Sequence, residues 1–136
     1  MANILIVDDN PIVQSILKFL IGENFDSCTV KEANDCITSI HETRENKYDL
    51  VLLNVNTPGI GSVAHINHLL SLQQDLKIIL FGINHEESVS TKLLKTGSMG
   101  YLAKGDSEKE IKTAVRNILN NKKYISPKLN HLAMAV

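Results

Sequence analysis

Tryptophan is absent, and all aromatics together make up 4% of the 136 residues, so the chain has no ring platform for stacking single-stranded nucleic acid. Two cysteines, Cys28 and Cys36, are too few for a disulfide framework. They fit a reducing compartment and read as small buried hydrophobes rather than a redox pair. Neither sign of charge dominates. Fourteen Lys and Arg stand against 15 Asp and Glu, a formal net charge of −1. That excludes a bulk basic clamp on nucleic acid, so no direct nucleic-acid contact is expected, and it excludes an acidic disordered tail. No apolar run approaches the roughly 18 residues of a membrane span. The N-terminus runs directly into a short apolar segment and two acids, unlike a secretory signal. A cytoplasmic protein without a membrane partner is the expectation. What is present is an ordinary globular balance, 43% hydrophobic and 21% charged, at a length typical of one domain. There is no internal repeat and no low-complexity stretch.

Continuous apolar runs recur. Ile4-Leu5-Ile6-Val7, Leu50-Val51-Leu52-Leu53 and Ile78-Ile79-Leu80-Phe81 are too short for helices, and Tyr101-Leu102-Ala103 is a weaker fourth. Such runs read as strands buried on both faces, the habit of parallel strands in α/β proteins. Ser27 to Lys31 alternates instead and reads as an edge strand. Between these runs lie segments of helical period. Asn10-Pro11 opens the first as N-cap and first helical residue, with Ile12, Val13, Ile16, Leu17 and Leu20 as its inner face and Gly22 as its stop. The second covers roughly 34–46, with Cys36, Ile37 and Ile40 inward. The third starts near Ser62 and carries Val63, Ile66, Leu69 and Leu70. The fourth, roughly 85–95, is thinly apolar, with Val89, Leu93 and Leu94. The fifth opens with a Ser107/Glu110 capping box and continues with Ile111, Ala114, Val115, Ile118 and Leu119.

Strict strand–helix alternation with short connections predicts an α/β flavodoxin-like (βα)5 sandwich. Its parallel five-stranded sheet has the order 2-1-3-4-5 and helices on both faces. Residues 1–121 form the domain. Residues 122–136 break the pattern: Ser126-Pro127 caps a new short helix with Leu129, Leu132 and Ala133 on a slight apolar face. This piece reads as the start of a connector towards a further C-terminal domain.

In an open parallel sheet the functional crevice lies beyond the carboxyl ends of the strands. That places Asp8 and Asp9 after the first strand, Asn54 to Gly59 after the third, Gly82 after the fourth and Lys104 after the fifth. Thr57-Pro58-Gly59 is turn chemistry that shapes the rim. The histidines, His41, His65, His68, His85 and His131, lack the spacing and partners of a zinc site and read as surface or half-buried.

The blocks Ile4 to Asn10, Asp49 to Gly59 and Gly100 to Lys104 resemble the signature blocks of response-regulator receiver domains, in order and spacing, from about Ala2 to Asn121. The segment Lys123-Tyr124-Ile125-Ser126-Pro127 resembles the NarL/FixJ class, whose members carry a C-terminal helix-turn-helix DNA-binding domain. The resemblance implies that Asp8 and Asp9 match the acidic pair that helps hold Mg²⁺. It implies that Asn54 stands at the phosphoacceptor Asp and that Asn56 supplies a metal-binding carbonyl. Gly82 stands at the switch Ser/Thr, Tyr101 at the switch aromatic and Lys104 at the phosphoryl-pairing lysine.

Two of these positions depart from the pattern. A carboxamide has no anionic oxygen with which to attack phosphorus. It also weakens by one formal charge any Mg²⁺ site at Asp9, Asn54 and Asn56, to roughly millimolar or worse, so no cofactor is expected. Gly82 has no hydroxyl to answer a phosphoryl group. The missing side chain leaves space beneath Tyr101, so that the ring sits inward without a signal or moves both ways. The reading is an atypical receiver of a two-component-type transcription regulator, not an enzyme. It acts by protein contact without aspartyl phosphorylation. Its partners are a second copy, through the fourth- and fifth-helix face or the first and fifth helices, its own DNA-binding domain, and a histidine kinase or other regulatory partner. One alternative is a phosphorylation-switched receiver in which Asn54 replaces a native Asp; Gly82, a second independent change, argues against it. Another is a small-ligand-sensing module, against which stands the absence of a glycine-rich phosphate loop.

Overall fold

A computed structural model describes residues 2–84 and 87–134. Strand β1 (Ala2–Val7) leads to α1 (Pro11–Asn24), β2 (Cys28–Ala33), α2 (Cys36–Glu45), β3 (Leu50–Asn54) and α3 (Val63–Leu72). Then follow β4 (Lys77–Ile83), α4 (Glu87–Leu94), β5 (Gly100–Ala103) and α5 (Glu108–Leu119). A short β6 (Tyr124–Ile125), a 3-10 turn (Pro127–Leu129) and α6 (Asn130–Ala133) complete the order. The sheet is parallel throughout, in the order β2-β1-β3-β4-β5-β6. This is the expected flavodoxin-like order with one strand added at the β5 edge.

The apolar runs became strands because both their faces are covered. Ile4 and Ile6 of β1, Leu50 and Leu52 of β3 and Ile79 of β4 pack beneath α1 and α5, against Leu17, Ile21, Ala114, Val115 and Ile118. The intervening Leu5, Val7, Val51, Leu53, Ile78 and Leu80 pack on the other face, against Ile66, Leu69, Leu93 and Leu94. Alternation of side chains along a strand thus feeds two cores from one continuous apolar run.

The helix starts follow their caps. Asn10, Ser62 and Ser107 cap α1, α3 and α5, and the Ser107/Glu110 box is formed. Four details differ from the sequence reading. Helix α1 runs past Gly22 to Asn24, and its buried face is Gln14, Leu17, Leu20 and Ile21. Ile12 and Ile16, expected inward, are 69% and 51% exposed, because the helix carries more apolar residues than the sheet covers. Helix α2, capped by Asp35, buries Ser39 and Thr43, while Ile37, expected inward, is 80% exposed. The two cysteines are half-buried rather than buried. The expected start of the fourth helix at His85 lies outside the described residues.

The tail is packed, not loose. The Tyr124 N–H donates to the Met99 carbonyl at 3.0 Å and the Ser126 N–H to the Tyr101 carbonyl at 2.8 Å, which builds β6 onto β5. Leu129 and Leu132 are buried in the same core as Tyr101, Leu93 and Leu94. The edge of β5 is thereby paired rather than left open.

Candidate functional site

The site forms where β1, β3, β4 and β5 end. Asp8 closes β1, its N–H donating to the Ala33 carbonyl at 3.1 Å, and its side chain is fully buried. One carboxylate oxygen accepts the Asn10 N–H at 2.9 Å. The other accepts the Asn54 side-chain N–H at 2.8 Å. The Asn54 Oδ1 in turn accepts the Asn56 N–H at 3.0 Å. These partners fix the amide's orientation: a carboxylate only accepts and a backbone N–H only donates. The amide therefore turns its nitrogen towards the buried acid and its oxygen towards the β3–α3 loop. Asn84 Nδ2 extends the chain to Asn56 Oδ1 at 3.2 Å.

Gly82 is more than a missing hydroxyl. Its φ is +77°, a conformation L side chains rarely adopt. It sits where the β4–β5 register slips between Leu80 and Ile83, a bulge in β4. A Cβ built there would lie 2.6 Å from Asn54 Oδ1 and 3.2 Å from Asn56 Cβ. The expectation of free space at this position is therefore corrected: the Asn54 amide fills it.

Tyr101 points inward and is fully buried. Its hydroxyl donates to the Ser98 carbonyl at 2.5 Å, with the Thr96 carbonyl at 3.2 Å. Burial pushes its phenol above the usual range, against a smaller opposing effect of the Thr96 contact. Lys123 Nζ lies 5.5 Å from the ring centroid, within cation–π range. The sequence left this ring's direction open.

The remaining expected residues are looser. Lys104 and Asp9 are exposed, and among the described residues neither side chain has an ion pair. Lys104 is held by its backbone, its N–H donating to the Ile83 carbonyl at 2.8 Å. With Asn54, Asn56, Gly82 and Asp106 it lines an open groove of about 350 Å³.

The donor set around Asp8 and Asn54 fits a divalent cation poorly. The inner acid already accepts an N–H on each oxygen. The Asn54 group facing it carries hydrogens rather than a lone pair. Among the described residues no cluster of three metal-ligating side chains occurs. Mg²⁺ wants several unencumbered oxygens in a near-octahedral shell.

Sequence reasoning missed three supports. Gln14, buried on α1, donates from Nε2 to the Asp8 carbonyl at 2.7 Å and to the Ala33 carbonyl at 3.2 Å, tying α1 to β1 and β2. Its signal was a polar residue in helical register with Leu17 and Ile21. Asp106 anchors the loop that follows Lys104. His65, read as surface or half-buried, is buried between α2 and α3. Its Nδ1 accepts the Gly61 N–H at 3.0 Å. The ring is therefore the Nε2–H tautomer, donating to Ser39 Oγ at 2.7 Å. The hydroxyl of Ser39 passes this on to the Cys36 carbonyl at 2.7 Å.

This geometry is that of a receiver domain, and the chain belongs to the response regulator receiver domain family, whose model matches residues 4–116. Among curated relatives it is similar to the response regulator GacA of Pseudomonas viridiflava, 31% identical over 129 residues, covering 95% of this chain and 60% of that protein. Response regulator UvrY of Escherichia coli is 29% identical over 126 residues, covering 93% of this chain and 58% of that one. The chain thus spans about 60% of the length of these relatives. Among solved structures, a two-component response regulator of the LuxR family from Aurantimonas sp. SI85-9A1 superposes with a TM-score of 0.86 at 26% identity, covering 99% of this chain and 96% of that one. The isolated receiver domain of RcsB from Salmonella enterica serovar Typhimurium shares the fold, with a TM-score of 0.86 at 19% identity over 96% of this chain and 97% of that one.

Proposed function

We propose that this receiver works by protein contact and does not run an aspartyl-phosphate cycle. The observation that carries this reading is the hydrogen bond from the Asn54 amide to the Asp8 carboxylate. The group at the acceptor position is neutral, non-nucleophilic and already engaged. Gly82 supports it: its backbone conformation and the Asn54 oxygen disfavour a hydroxyl-bearing side chain there. The same donor arrangement argues that the pocket is stable without Mg²⁺, and no cofactor is needed.

The partner we propose is a second copy. The face of α4 and β5 is covered by the chain's own tail, through Leu129 and Leu132. Helix α1 instead exposes Ile12, Ile16 and Phe19, next to a cleft that also carries Glu108 and Lys112 of α5. One cation and one anion on the same patch suit a two-fold contact, in which each meets its opposite on the other copy. This favours the α1–α5 pairing over the α4–α5 pairing.

Residues 122–136 lead, in this reading, to a DNA-binding domain of a cytoplasmic transcription regulator, with residues 1–121 as the receiver. Support comes from the greater length of GacA and UvrY and from the RcsB fold relative, which has been solved in complex with DNA. A histidine kinase or other regulatory partner remains compatible with the exposed α1.

The test is direct. The protein is incubated with a small phosphodonor and Mg²⁺, and its intact mass is recorded. The expected mass is unchanged; a stable gain of one phosphoryl group mapped to this groove overturns the reading.

A further inference from the structure

The loop after Lys104 and the tail are tied together by one carboxylate. Asp106, whose side chain is 2% exposed, accepts the Ala103 N–H at 2.8 Å and so folds the loop back onto β5. Gly105, at a φ of +88°, permits that tight return. The other Asp106 oxygen accepts the Ser126 hydroxyl at 3.1 Å and pairs with Lys128 Nζ at 3.0 Å. Lys128 also donates to the Gly105 carbonyl at 3.3 Å. The donors therefore come from the tail, while the acceptors sit on the turn that carries Lys104. Below them, Leu129 and Leu132 enter the core beside Tyr101.

A buried carboxylate that loses its donors is left with a large uncompensated cost, so the tail and the turn stand or fall together. The tail is held to the domain through a short stretch of chain. It has a two-residue strand, two buried leucines and a cation that is 41% exposed. Segments of that kind open before the rest of a domain does.

We propose that residues 124–133 form a releasable strap, coupled through Asp106 to the turn that positions Lys104, so that the pocket and the chain beyond the strap each sense the other without a phosphoryl group. This rests on the reading that the domain signals by contact alone. Coupling of this kind is reciprocal: what loosens the strap loosens the turn, and a ligand or partner that fixes the turn holds the strap down. Strap release would also bare Tyr101, Leu93 and Leu94, the face now covered.

Hydrogen exchange on the 136-residue chain, with no phosphodonor present, tests the coupling. In Asp106→Asn, amides of both 103–107 and 124–134 should exchange roughly tenfold faster while β1 and β3 keep their rates, because hydrogen bonds to charged groups are the stronger kind. Lys128→Gln, at a half-exposed position, should shift both segments in the same direction with the core intact. Leu132→Ala changes only the apolar anchor and should still speed exchange at 103–107. A strap that loosens while 103–107 keeps its original rates overturns the proposal, as does no response of either segment to Asp106→Asn. These rates are read on the unmodified chain, so phosphoryl uptake found separately by mass would overturn the contact reading and leave this result standing, and the two readings fail separately.

Discussion

The Asn54 side-chain amide donates to the buried Asp8 carboxylate at 2.8 Å, in the place where receiver domains gather charge around a cation. The arrangement is electrically quiet: one acid, two N–H donors on it, and an amide oxygen spent on the neighbouring loop. Each oxygen of the buried acid is satisfied by an N–H donor of the chain itself.

Restoring the acid should therefore create a metal requirement. Asn54→Asp sets two carboxylates against each other at hydrogen-bond distance, with one buried. We expect a loss of about 1–3 kcal/mol in chelator, recovered by Mg²⁺, against a parent whose stability Mg²⁺ leaves unchanged. Urea unfolding of both proteins with and without Mg²⁺ measures this. Equal behaviour of the two proteins would refute the closed-pocket account.

Gly82→Ser should not rebuild a switch. The new Cβ meets Asn54 Oδ1 in a backbone conformation that already disfavours side chains. A cost of about 1–3 kcal/mol is expected, read as a lower urea midpoint at constant slope. A variant as stable as the parent would mean that the bulge in β4 relaxes freely.

His65 predicts a pH dependence. Burial, with a smaller contribution from His68, holds its imidazole below the usual range in the folded chain. The unfolded side chain titrates near 6.5. Below that pH the unfolded state takes up a proton the native state refuses, so stability is full above about pH 6.5 and falls as the medium is acidified towards the native value. Protonation would also cost Nδ1 its role as acceptor for Gly61. His65→Gln should flatten the stability profile between pH 7 and 5; an unchanged slope would assign it to other groups.

Phe19→Glu probes the contact face. The side chain is 69% exposed, so the fold should be unaffected, within about 0.5 kcal/mol. Sedimentation should show the variant monomeric at concentrations where the parent pairs. If the parent is itself monomeric throughout, or the variant pairs as well as the parent, the α1–α5 assignment is wrong.

Much of this molecule was legible in its sequence because the relevant signals are local. Four-residue apolar runs declare doubly covered strands, and Asn10-Pro11, Ser62 and Ser107 declare helix starts. With parallel order established, the positions of Asp8, Asn54, Gly82 and Lys104 at one end of the sheet followed from topology. What was not legible depends on distant parts of the chain. Gly82 reads as an absent hydroxyl, yet its meaning lies in a backbone set by the slipped pairing of β4 with β5. The inner face of α1 was misjudged because Ile12 and Ile16 compete with Leu17 and Ile21 for a sheet that covers only some of them, while polar Gln14 is drawn in by two carbonyls. Asp106 has no local signal for its role; its tail partners, Ser126 and Lys128, lie 20 and more residues further along.

The mutual fit of residues 54 and 82 works as a ratchet. With glycine's left-handed turn in place, the amide oxygen has a seat; with the amide seated, a larger residue enters at 82 only by displacing it and straining the backbone. A change at 82 alone therefore works against the amide at 54, and the two positions are best altered together.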